Sequence, residues 1–281
     1  MQAPLFIVWR ESLEALLVIG ILYAWLRREN LLLQISQLWI GIGFGLLLAG
    51  ILAVIFWIAG QWFSGPSGEW FFTCIMIFAS ILILQTVIWM HCHGNDMKKR
   101  LETKVNESMR QRGQFSIMIL AMIAIAREGS ETVVFLIGIG FEHHGTSLAL
   151  FMLSSAAGFG LAILTFICLQ KFSSTIPWGW YFCVSECVLL FIGCGMMINA
   201  CDKAAGQLSA YELPEWLYSF MDTPLWSTQW FLADNDALTS LIGYHADPSM
   251  MQIGTFLSYW IIAIYFMFKK ESNTQLERPI E

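Results

Sequence analysis

Two short stretches of the chain repeat one arrangement of charge inside apolar surroundings: Arg10-Glu11-Ser12-Leu13-Glu14 and Arg127-Glu128-Gly129-Ser130-Glu131. In a helix, residues three apart share a face, so Glu11 and Glu14 can converge on one ligand, as can Glu128 and Glu131. Arg10 to Glu14 and Arg127 to Glu131 are i,i+4 pairs, so each arginine can brace the second carboxylate of its own motif. Six such groups facing lipid would cost on the order of 15 kcal/mol, which predicts that they face one another. A purely structural ion-pair network is the simplest alternative, but it needs no excess of acid. Here four carboxylates and two guanidiniums leave a formal charge of −2, which a bound cation relieves. Carboxylate oxygens suit hard cations and disfavour Cu(I), leaving ferric iron, Mn, Mg and Ca open on donor chemistry.

Other residues could serve a cation on its way. Ser12 and Ser130 flank the claws and could add an oxygen, although packing between membrane helices is the simpler role. Glu186 is a further intramembrane acid, a candidate for cation or proton passage or a hydrogen-bonded structural acid. His91-Cys92-His93 offers borderline ligands at a helix end, and Glu142-His143-His144 with Glu69 could form a relay on the opposite side. Cys183, Cys187 and Cys194 recur at helical spacing, which reads as packing rather than as a soft metal face.

The elements that must position these groups are membrane helices. The chain of 281 residues is 57% hydrophobic and 13% charged, with mean hydropathy +0.62, against roughly a quarter charged in soluble domains. The predicted class is an all-α polytopic membrane protein in the lipid bilayer, and the net charge of −6 gives no reason to expect a nucleic-acid partner. Apolar segments fall at about 4–26, 38–60, 70–92, 115–140, 147–170, 178–200 and 251–268, each close to the roughly 20 residues that a span requires. The start lacks a basic n-region, so the first segment reads as a retained helix.

Residues 1–270 read as one transmembrane permease domain, followed by a cytoplasmic tail at 271–281. The motifs sit on the first and fourth helices, which run in opposite directions because their separation is odd. That predicts a 3+3 inverted repeat, 4–92 and 115–200, with a C-terminal helix outside it and alternating access by rocking of one repeat against the other. Arg27, Arg28, Lys98, Lys99, Arg100, Lys104, Arg110, Arg112, Lys171, Lys269, Lys270 and Arg278 all follow odd-numbered helices. Lys and Arg collect in cytoplasmic loops, so the N-terminus is predicted outside and the C-terminus inside. The external segment, about 201–250, is acidic and Trp-rich, with Asp202, Glu212, Glu215, Asp222, Asp234, Asp236 and Asp247 against Lys203 alone. It could concentrate cations, or it could be acidic merely because basic residues are excluded from that side. On the inner side, Met97, Leu101, Val105 and Met109 predict a helix lying on the membrane surface.

Twin R-E-x-x-E motifs on the first and fourth of seven helices resemble the oxidase-dependent iron transporter family, which includes the yeast high-affinity iron permease and bacterial iron permeases. The stretch Leu241-Ile242-Gly243-Tyr244-His245-Ala246-Asp247-Pro248-Ser249 is similar to the element before the last helix of bacterial members, so the resemblance covers nearly the whole chain. It implies that Glu11, Glu14, Glu128 and Glu131 bind iron as transported substrate, with no permanently bound cofactor and no catalytic residues. It also implies ferric iron from an extracytoplasmic oxidase or delivery protein, and a place in the bacterial inner membrane. The usual R-E-G-L-E is altered by Ser12 and Ser130, while all four acids and both arginines remain. A permease for Mn or Pb, and a membrane-embedded redox subunit built on His91, His93 or the cysteines, are the rival readings. The number of subunits stays open.

Overall fold

The computed structural model describes residues 2–63, 66–93, 115–140, 146–171, 178–209, 214, 221, 223–227 and 243–276. Seven helices dominate them: α1 (Gln2–Arg28), α2 (Leu32–Trp62), α3 (Pro66–His93), α4 (Ser116–Gly140), α5 (Thr146–Lys171), α6 (Trp178–Leu208) and α7 (Met250–Leu276). Among the described residues there is no strand, only an isolated bridge between Pro224 and Ser249. The all-helical class predicted from composition is the one observed.

Five helices, α2, α3, α5, α6 and α7, hold stretches long and apolar enough to cross a membrane. The other two, α1 and α4, carry the motif charges Arg10, Glu11 and Glu14, and Arg127, Glu128 and Glu131. The residues that single these helices out for chemistry are also the ones that dilute their apolar character.

All the observed helices but α4, which keeps within its predicted segment, extend the predicted ones. The clearest case is α6, which runs on through Leu208 instead of ending at Ala200. Lys203, Ala204, Ala205 and Gln207 are good helix formers. Asp202, which the sequence placed in the external segment, accepts a 2.8 Å hydrogen bond from Gln252 Nε2. The amphipathic inner stretch around Met97 to Met109 and most of the external segment lie outside the described residues.

The helices divide into two units, neither of which is a sequential half of the chain. One comprises Pro4–Ala59 and His93–Gly179, holding α1, α2, α4 and α5; the other comprises Met1–Ala3, Gly60–Cys92 and Trp180–Glu281, holding α3, α6 and α7.

In the first unit, Val18, Leu22 and Leu26 of α1 pack with Leu38 and Ile42 of α2 and Ile117, Ala121 and Ile125 of α4. Trp9 Nε1 donates to Thr165 Oγ1 at 3.1 Å, tying α1 to α5. The turn from α1 into α2 is set by Asn30, whose φ of 57° is left-handed. Leu31 N donates to Leu26 O at 3.0 Å and Asn30 N to Arg27 O at 3.4 Å, the Schellman pattern that satisfies the last carbonyls of a helix. Small residues allow α2 and α4 to touch: a Cβ on Gly129 would lie 2.6 Å from Ala49 Cβ, and one on Gly41 would strike the Met118 carbonyl. Apolar side chains on the far faces of α2 and α5, including Trp39, Leu46, Trp57, Met152, Leu153 and Leu164, are exposed and suited to lipid.

In the second unit, Ser80 Oγ of α3 donates to Gly193 O of α6 at 2.7 Å, and Gln207 Nε2 donates to Thr73 Oγ1 at 3.1 Å. Phe191 of α6 meets Trp260 of α7 edge-on, with ring centroids 5.0 Å apart. The start of α7 is capped reciprocally. Ser249 N donates to Gln252 Oε1 at 3.0 Å, and Gln252 N donates to Ser249 Oγ at 3.3 Å.

Candidate metal centre

Both charged motifs lie in the unit formed by α1, α2, α4 and α5. On α1, Arg10 is fully buried and grips both acids of its own motif, with Nη1 2.7 Å from Glu11 Oε1 and Nη2 2.7 Å from Glu14 Oε1. The spacing predicted the second of these contacts but not the first. On α4, Arg127 Nε lies 3.0 Å from Glu131 Oε1, the predicted i,i+4 pair. The two arginines differ sharply in exposure: the Arg10 side chain is 0% exposed and the Arg127 side chain 44%.

The motifs meet through three of the four glutamates. Carboxylate oxygens of Glu11, Glu128 and Glu131 all lie within 4.8 Å of one another. Ligands about 2.1 Å from one ion stand about 3.0 Å apart at right angles and about 4.2 Å apart when opposite, so side-chain movements of about an ångström would bring all three onto one ion. Glu14 is not in this trio, although Arg10 holds it at the same 2.7 Å as Glu11.

Glu11 Oε2 and Glu128 Oε2 are buried without a hydrogen-bond partner among the described residues. A buried charged oxygen left in that condition costs several kcal/mol unless it meets a cation or a proton. Local hydroxyls do not relieve it. Ser130 Oγ donates to the Arg127 carbonyl at 2.7 Å and Thr132 Oγ1 to the Glu128 carbonyl at 2.8 Å, so both spend their protons on the backbone. Ser130 thus makes a local helix contact, and Ser12 is half-buried. The trio can therefore hold a cation through oxygen donors from two helices, with Arg10 and Arg127 limiting the accumulated negative charge.

The remaining sequence candidates are dispersed. Glu186 is buried in α6, its Oε2 3.2 Å from His91 Nδ1 at the end of α3. Glu69 is exposed at the start of α3, where its carbonyl accepts from Thr73 Oγ1 at 2.9 Å. Glu142, His143, His144 and the side chain of His93 lie outside the described residues. Cys194 is buried, whereas Cys183 and Cys187 are exposed, and none joins a three-ligand group among the described residues.

Sequence reasoning missed the polar junction that joins the 243–249 segment to α6. Asp202 Oδ2 accepts from Gln252 Nε2 and lies 3.7 Å from His245 Nε2, while Gly243, at φ 70°, packs against Gly195 and Ile198. The Ser249-Met250-Met251-Gln252 spacing is a capping-box signature and could have revealed the start of α7.

Known proteins resemble this chain along nearly its whole length. Residues 1–269 match the iron permease FTR1 family. A protein named ferrous iron permease EfeU from Yersinia pestis is 25% identical over 289 residues, covering 98% of this chain and 95% of its own. Its namesake from Escherichia coli O6:K15:H31 is 24% identical over 272 residues, covering 94% of each chain. No solved structure matches. With a match that spans both charged motifs and all seven helices through residue 269, the chain belongs to the iron permease FTR1 family.

Proposed function

We propose that this permease imports iron through the Glu11, Glu128 and Glu131 carboxylates, which replace part of the ion's hydration shell while Arg10 holds Glu14 in reserve. The observation that carries the reading is the convergence of three carboxylates from α1 and α4 within 4.8 Å, two of them with unpartnered buried oxygens. Four acids against two arginines leave −2, which a divalent ion neutralises, and the relatives bear the name ferrous iron permease. Ferrous iron is therefore the form we take to reach the site. The all-oxygen donor set favours a second reading: ferric iron delivered by an extracytoplasmic oxidase or iron-delivery partner, as the family resemblance implies.

All seven helices span the inner membrane in this proposal, with the N-terminus outside and the C-terminus inside. Movement follows alternating access, with α1 and α4 as the corresponding first helices of an inverted repeat. The interleaving of helices from both halves of the chain into each unit suits such a repeat.

Uptake of radiolabelled iron into sealed proteoliposomes tests this, with ferrous iron under reductant and ferric citrate offered separately. Wild-type uptake that is lost in Glu128→Gln/Glu131→Gln, with the variant still folded, is the expected result. Equal uptake by both proteins would make the motifs structural. Preferential uptake of ferric iron would favour the second reading, and stronger competition by Mn or Pb than by unlabelled iron would reassign the substrate.

A further inference from the structure

In the unit formed by α3, α6 and α7, His91 and Glu186 come from helices 95 positions apart in sequence and meet at 3.2 Å. Glu186 is held in the interior, with 7% of its side chain exposed, while the His91 side chain is 36% exposed. An acid within a membrane helix is costly to keep, and its placement calls for a role. Ligands about 2.1 Å from an ion and at right angles to each other are about 3.0 Å apart, so Nδ1 and Oε2 already stand at the spacing of neighbouring ligands. One donor is buried and the other half-open, leaving the remaining coordination positions to water.

We infer that His91 and Glu186 form a second, transient station for a divalent first-row transition cation. The identity of that cation as iron rests on the proposed function above. Two protein donors hold an ion less firmly than three carboxylates, so an ion bound here is released readily, as a transient station requires. The pair also supplies what the carboxylate trio lacks, a nitrogen donor. All-oxygen sites accept Mg2+ and Ca2+ readily, whereas imidazole favours transition metals. His91 thereby adds discrimination that Glu11, Glu128 and Glu131 cannot provide.

The test uses the full chain in lipid nanodiscs with Mn2+ as the probe, since nitrogen ligands to Mn2+ are read directly by pulsed electron paramagnetic resonance. Glu11→Gln/Glu128→Gln/Glu131→Gln silences the trio. That variant is expected to retain one Mn2+ with nitrogen coupling, displaced poorly by Mg2+. Adding His91→Gln should abolish the coupling and weaken binding at least tenfold. His91→Asp should restore binding without nitrogen coupling and with easier displacement by Mg2+, a pattern that a merely structural hydrogen bond would not produce. Bound Mn2+ without nitrogen coupling, no binding to the silenced variant, or unchanged affinity after His91→Gln would each overturn the station. Failure of wild-type iron uptake would instead refute the permease reading, because the Mn2+ measurement is made at equilibrium and needs no transport.

Discussion

Replacing Arg10 by methionine should damage the fold far more than the same change at Arg127, although the motifs look equivalent. Arg10 is wholly buried and makes two contacts of 2.7 Å, to Glu11 and Glu14. Its loss leaves two carboxylates in the interior without their counter-charge. Removing one partner of a buried ion pair costs about 3–5 kcal/mol, which lowers the folded-to-unfolded ratio by more than a hundredfold. Arg127 has 44% of its side chain exposed and lies 3.0 Å from Glu131. An exposed pair of this kind contributes about 0–1 kcal/mol. Reversible unfolding in mixed micelles, titrated with SDS and followed by tryptophan fluorescence, can compare the two variants with wild type. If the cost of Arg10→Met is uncompensated buried charge, Arg10→Met/Glu11→Gln/Glu14→Gln should recover most of the lost stability, because the stranded charges go with the arginine. Equal destabilisation by Arg10→Met and Arg127→Met, or no recovery in the triple variant, would refute the reasoning.

Glu128→Gln should abolish iron uptake yet raise the stability of the metal-free protein by about 1 kcal/mol, since a neutral amide relieves a buried unpartnered carboxylate; parallel uptake and unfolding measurements check both halves. Gly129→Ala puts a methyl group 2.6 Å from Ala49 Cβ and should cost about 1–3 kcal/mol, with recovery in Gly129→Ala/Ala49→Gly, read by the same unfolding assay. Gln252→Ala removes one arm of the α7 cap and the 2.8 Å bond to Asp202, so it should lower stability by about 1–2 kcal/mol while leaving Mn2+ affinity of the carboxylate trio unchanged in a binding titration.

The existence of the helices was readable because long apolar runs and few charges leave little alternative in a bilayer. Their ends were less readable. The extension of α6 past Ala200 follows local helix formers such as Ala204 and Ala205, but the contact that Asp202 makes there with Gln252, 50 residues distant, was not readable. The capped start of α7 was locally encoded, because Ser249 and Gln252 stand at the spacing of a capping box. Glu186 and His91 were separate candidates in sequence, since nothing in either segment specifies that α3 and α6 lie side by side at that point.

By itself the sequence determined the contacts that helical geometry dictates. Residues four apart are neighbours on any helix, so the pairing of Arg10 with Glu14 and of Arg127 with Glu131 followed from spacing alone. Tertiary structure decided which acids share a ligand space and which do not. Glu11, Glu128 and Glu131 converge while Glu14 stands outside the trio, and one arginine is sealed while the other stays open. Those outcomes depend on the register and rotation of α1 against α4. That register is set by close packing across the unit, as where Gly129 meets Ala49 and Gly41 meets the Met118 carbonyl, and no local pattern of charge encodes it.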